Sequence, residues 1–147
     1  MNVLELQRRY LAGERNFENA DLRGASLEDL TLTGIRLRNA DLRGTTLNGA
    51  SLWGADLAGA SLEGASLRGT DLRRAYLAGA DLQGADLTYA LLVSADLTGV
   101  ELRGANMSHA DLYCAQISVE QHNAAIAAGA LVYDPALSAL RHSLALR

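Results

Sequence analysis

The residues that could do chemistry are few and lie close together. His109 and Cys114 stand five positions apart with Asp111 between them. An imidazole, a thiol and a carboxylate can hold a metal ion or activate a thiol nucleophile, provided the side chains converge on one point. Two further histidines, His122 and His142, follow toward the C-terminus. The chain also has 14 glycines, but a loop that cradles phosphate needs them at a strand-to-helix junction. Here they fall in a five-residue rhythm, which is the rhythm of a turn. Whether His109, Asp111 and Cys114 meet depends on the element that carries them.

That element is an internal repeat. From Phe17 to Ile117 every fifth residue is large and apolar: Leu22, Leu27, Leu32 and so on without a gap. The residue two before is usually Ala, as in Ala20, Ala40, Ala55 and Ala115, and the residue two after is often Gly, from Gly24 to Gly104. A step of five turns a side chain by about 140° on an α-helix, which would smear the leucines around the cylinder. On a flat strand the same odd step sends alternate leucines to opposite faces. The pattern is satisfied only if the chain bends once per repeat.

Each unit then reads as a short extended piece followed by a corner. Ala and Leu, two apart, both point inward, and the residue between them (Asp21, Ser26, Thr31, Asp41) points out. Gly at the second corner position supplies the positive φ of a type II turn. Four corners of about 90° close a square, so about twenty residues make one coil, and coils stack about 4.8 Å apart. The 21 repeats give about five coils and a rod roughly 25 Å long. Adjacent corners of a square diverge, so His109 and Cys114 are expected to tolerate a turn in place of Gly, without forming a metal or nucleophilic site. With a filled interior, no pocket, no cofactor and no enzyme activity are expected.

The strings Ala-Asp-Leu-Arg-Gly (40–44), Ala-Asp-Leu-Ala-Gly (55–59), Ala-Asp-Leu-Gln-Gly (80–84) and Ala-Asp-Leu-Thr-Gly (95–99) resemble the pentapeptide-repeat family. The resemblance covers about 105 residues and implies an all-β fold, a right-handed quadrilateral parallel β-helix. Departures at the inward sites Leu30, Ile35, Thr45, Thr70 and Val100 are conservative in size. The family also implies an alternative role. Some members are similar in size and shape to duplex DNA and occupy the DNA groove of type II topoisomerases, protecting or inhibiting gyrase.

The ends depart from the repeat. A solenoid exposes its leucine column at both ends, so each needs a cover. Residues 1–14 read as a capping helix with Asn2 as N-cap, Glu5 three residues on, and Gly13 as the stop. Val3, Leu6 and Tyr10 would lie over the first coil. Residues 15–119 form the solenoid, and 120–147 a C-terminal helical segment. Ser118 to Gln121 reads as a capping box, with a helix over 119–128 ended by Gly129. Asp134-Pro135 starts another, whose Leu137, Leu140 and Leu144 share one face. That face is either a lid or a homodimer contact.

Composition narrows the partners. A formal net charge of −4, with 13 Arg and no Lys against 17 acids, argues against direct nucleic-acid binding. One cysteine excludes an internal disulfide and is compatible with a reducing compartment. Glu5, Gln7, Arg8 and Arg9 interrupt any leader, and no apolar run reaches the roughly 18 residues of a membrane span. A cytoplasmic protein is expected. Residues 15–74 are neutral, but 75–119 carry only Arg103 against Asp81, Asp86, Asp96, Glu101 and Asp111.

Twenty-residue coils place residues twenty apart in vertical ladders. One face carries Asp21, Asp41, Ser61, Asp81 and Glu101 beside Arg23, Arg43, Glu63, Gln83 and Arg103, an ordinary solvated surface. Another carries Trp53, Arg73, Val93 and Tyr113 beside Ser51, Asp71, Leu91 and Asp111. Its exposed aromatic, aliphatic and Arg side chains are types enriched at interaction hot spots. The plainer alternative is that these side chains simply favour a strand ladder, or that Tyr113 packs under the C-terminal helix. The sequence therefore points to a non-catalytic scaffold that presents Trp53, Arg73, Leu91, Val93 and Tyr113 to a protein partner.

Overall fold

A computed structural model describes residues 1–131. Leu137, Leu140, Leu144 and His142 lie outside the described residues, as does the choice between lid and dimer contact.

The described chain winds into a right-handed quadrilateral β-helix. Each outward residue pairs in parallel with the residue twenty positions on. The first face runs Asn16, Arg36, Asp56, Tyr76, Asp96, Gln116, and the second runs Asp21, Asp41, Ser61, Asp81, Glu101. The third runs Ser26, Thr46, Ser66, Asp86, Asn106, and the fourth Thr31, Ser51, Asp71, Leu91, Asp111, Leu131. Backbone bonds weld the coils: Leu22 N–H donates to Asp41 C=O at 2.9 Å and Asp41 N–H to Ala20 C=O at 2.9 Å. Within a coil, Ala25 N–H donates to Leu22 C=O at 3.0 Å and closes the corner. Gly24, third residue of that turn, has φ +63°, a conformation glycine adopts without steric cost.

The leucine file is buried throughout, with Leu27, Leu47, Leu67 and Leu87 fully enclosed. Each contributes on the order of 1.5–3 kcal/mol of burial before chain entropy is subtracted. Alanines fill most of the neighbouring inward sites, and Ile35 and Val100 are buried in the same position. Where Thr45 and Thr70 take that place, their hydroxyls donate to Leu22 C=O at 3.0 Å and Leu47 C=O at 2.8 Å. Among the described residues no buried side-chain polar atom lacks a hydrogen-bond partner.

Helix α1, Val3–Leu11, closes the first coil. Asn2 Oδ1 accepts from Glu5 N–H at 2.8 Å, and Gly13 at φ +98° turns the chain into the solenoid. Leu6 is fully buried, Val3 and Tyr10 pack beside it, and Tyr10 Oη donates to Thr33 C=O at 2.8 Å. Helix α2, Val119–Ala127, lies over the coil that contains Val100. Ser118 and Gln121 form the reciprocal cap, and Gln121 Nε2 donates to Val100 C=O at 2.9 Å.

The solenoid then resumes. Leu131 pairs with Asp111, twenty residues before it, and Ala130 packs against the core. Thus α2 occupies the length of two repeats without shifting the phase of the ladders. Among the described residues, no helix is long and apolar enough to cross a membrane.

Candidate partner-binding face

The corners hold the least expected feature. The twenty corner residues from Asn19 to Cys114, one per repeat, all have positive φ; twelve are Gly and eight are not. In the lower coils the exceptions are Asn19, Asp29 and Asn39, short side chains that enter this region comparatively easily. In the upper coils they are Arg74, Tyr89, Ser94, His109 and Cys114, with φ between 58° and 60°. All five lie on the two corners that bound the fourth face. The other two corners in the upper coils stay glycine: Gly64, Gly84 and Gly104, and Gly79 and Gly99. Strain held at selected positions is a mark of function.

These corner side chains are organised. The rings of Tyr89 and His109 stack across adjacent coils, centroids 4.8 Å apart and planes 12° from parallel. Arg74 extends back over the Trp53 ring, 5.8 Å from its centroid, a cation–π contact. Leu91 lies between the corners, and Val93 and Tyr113 are the outward first residues of the corners that end in Ser94 and Cys114. Among the large apolar side chains exposed on the described coils, Leu91 and Leu131 lie in the fourth-face ladder, and Trp53, Tyr113 and Tyr89 on the corners that border it. Only Tyr76 lies elsewhere, on the first face. Trp53 is 41% and Tyr89 60% exposed.

Of the five residues expected on this face, Trp53, Leu91, Val93 and Tyr113 present exposed or half-exposed surface. Arg73 is engaged within its own coil: its guanidinium donates two bonds to the Asp71 carboxylate, at 2.9 and 2.8 Å. Those bonds hold the Asp71 carboxyl below the usual range. Tyr89, His109 and Arg74 complete the surface, and the ladder arithmetic of outward sites passes over them because they sit at turn positions. The available signal was the failure of Gly to recur at Arg74, Tyr89, Ser94, His109 and Cys114.

His109 and Cys114 lie on different corners, and among the described residues no His, Cys, Asp or Glu group is placed to hold a metal ion. Elsewhere the surface is neutralised locally. Arg23 bonds Asp21 at 2.9 and 2.8 Å, and Arg43 bonds Asp41 at 2.9 and 2.6 Å. The Arg23 guanidinium brings the Asp21 carboxyl down to about 2. Arg38 reaches Asp56 and Arg68 reaches Asp86 between coils, both at 3.1 Å. Burial pushes the Asp86 carboxyl up, but bonds from Thr88 and Arg68 outweigh it and the net shift is downward. Asp81, Asp96, Glu101 and Asp111 lack a cationic partner among the described residues.

Comparison with known proteins agrees with this geometry. The family model for pentapeptide repeats matches in eight copies between residues 16 and 113. Among solved structures, the chain is similar to HetL, a pentapeptide repeat protein involved in heterocyst differentiation regulation in the cyanobacterium Nostoc sp. strain PCC 7120. Identity is 39%, over 78% of this chain and 53% of HetL, with a TM-score of 0.48. The chain thus spans about half the length of HetL. It is also similar to a pentapeptide repeat protein of the Arabidopsis thaliana thylakoid lumen, at 28% identity over 76% of this chain and 75% of the other, TM-score 0.55. A third, alr5209 from Nostoc PCC 7120, is 34% identical over 90% of this chain and 96% of its own, TM-score 0.39. No curated protein matches.

Proposed function

We propose that this chain, which belongs to the pentapeptide-repeat family, is a non-catalytic scaffold that binds another protein through its fourth face. One observation carries this reading. Nearly all the large apolar side chains left exposed on the coils gather on one of four equivalent faces, or on its border. Strand preference alone would scatter them over all four. Aromatic and aliphatic groups in such a cluster are the usual anchors of an interface. The backbone of this face is already paired within the solenoid, so the partner is gripped by side chains. Cys114, a free thiol, suits a reducing compartment, and we place the protein in the cytoplasm.

The test is affinity capture with the parent and a Trp53→Ala, Leu91→Ala double variant. The parent is expected to retain a partner that the variant loses. A variant that keeps every partner overturns the reading.

A second reading, a DNA mimic acting on a type II topoisomerase, draws support from the unpaired acids Asp81, Asp96, Glu101 and Asp111. The lower coils speak against it, because Arg23 and Arg43 cancel the carboxylates that would imitate phosphates. A gyrase supercoiling assay decides: no inhibition at micromolar protein removes the mimic.

A further inference from the structure

The fourth face is polarised along the rod, and that polarity indicates what it takes. At its lower end the positive groups are already occupied, Arg73 by Asp71 and Arg74 by the Trp53 ring. At its upper end the apolar centre, Leu91 and Val93, meets carboxylates with no cationic partner. Asp111 pairs directly above Leu91 in the same ladder. Asp96 follows just past the bordering corner residue, Ser94. Each uses one oxygen to accept a local backbone N–H, Asp111 from Tyr113 at 3.0 Å and Asp96 from Thr98 at 3.0 Å. Each leaves its second oxygen open to a partner. On the opposite border stands the Tyr89–His109 stack, and a tyrosine ring face attracts cations. Arg74 on Trp53 shows the same contact made within the chain.

Resting on the docking face proposed above, we infer that its occupant is a basic segment of another protein. An aliphatic or aromatic side chain of that segment sits on Leu91 and Val93, and its arginine or lysine side chains reach Asp96, Asp111 and the Tyr89–His109 stack. Charge complementarity selects this occupant over an acidic segment, nucleic acid or a second copy of this chain. Asp111 on the face and Asp96 just past its border have no cationic partner among the described residues, so two copies apposed here would bring these like charges together.

The experiment is a titration of the full isotope-labelled chain, followed by amide chemical shifts, with two synthetic peptides of equal length. One alternates Arg with Leu and Tyr, and the other replaces each Arg with Glu. The basic peptide is expected to shift Tyr89, Leu91, Val93 and Asp111 and to bind at least tenfold more tightly than the acidic one. An Asp96→Asn, Asp111→Asn variant is expected to lose most of that difference, and raising salt to reduce it. Equal binding of both peptides at the fourth face overturns the basic occupant while leaving the docking face standing. Shifts confined to other faces overturn both. Concentration-dependent shifts at the fourth face without peptide assign it to a second copy and overturn this inference. Shifts there with duplex DNA but not with the basic peptide do the same.

Discussion

Tyr89 and His109 stack ring on ring across neighbouring coils while both hold backbone angles that glycine would adopt more easily. The contact sets a packing gain of about 0.5–1.5 kcal/mol against a left-handed conformation that costs each residue about 1–2 kcal/mol. For stability alone, glycine would serve about as well at both corners.

A Tyr89→Gly, His109→Gly variant is therefore expected to unfold in urea within about 1 kcal/mol of the parent, or above it. It should bind the basic peptide at least tenfold more weakly. A large loss of stability would show that the rings hold the fold together and do not serve a partner.

Phase gives a second prediction. Removing residues 97–101 takes out one repeat and turns everything above it by a quarter of a circuit. Asp111 then leaves the ladder of Leu91, and His109 leaves Tyr89. Removing residues 57–76 takes out a whole coil and leaves Leu91, Asp111 and the ring stack aligned. Both deletions should melt cooperatively, because the leucine file stays continuous. Only the second should bind the basic peptide, as read by the same titration.

The interior should be far less forgiving than the corners. Leu67→Lys places an unpaired charge in the middle of the fully buried file and is expected to cost at least 3 kcal/mol, unfolding the rod as a unit. Thr98→Lys, on an exposed corner, should change stability by no more than about 0.5 kcal/mol. Thermal melts followed by circular dichroism compare the two.

Acid should loosen the lower coils through their Arg–Asp pairs. The Asp21 carboxyl titrates at about 2, held down first by its side-chain bond from Arg23, whereas an unfolded aspartate titrates near 3.9. A carboxyl depressed on folding stabilises the protein above the unfolded value, and that contribution is lost as pH falls through the folded one. Asp41 and Asp71 shift in the same direction, led by Arg43 and Arg73. Melting temperature should thus fall between about pH 4 and pH 2. By NMR, Arg23→Ala should move the Asp21 midpoint up toward the unfolded value.

The architecture was legible because a corner is a local event. Ala, Leu and Gly at fixed offsets from Leu22 to Leu112 specify inside, outside and turn within five residues, and counting by twenty sorts the outside into faces. Trp53, Leu91 and Val93 came through on that count. The ring stack did not, because Tyr89 and His109 sit at positions whose local meaning is a turn; only the coil spacing brings them together. Arg73 read as an outward residue of the binding face, and its bond to Asp71 depends on side-chain geometry that spacing does not specify. The return of the ladder at Leu131 was hidden by α2, a non-repeating segment that happens to use up two repeats.

The sameness of the coils leaves one problem that α1 and α2 are suited to solve. A leucine file will accept a strand slipped by five or by twenty residues almost as readily as the proper one, so during folding many wrong pairings compete at little energetic difference. Leu6, buried from α1, and Gln121, bonded from α2 to Val100, belong to no repeat and fit one place only. The two helices then act as bookmarks, fixing the register of the coils they cover.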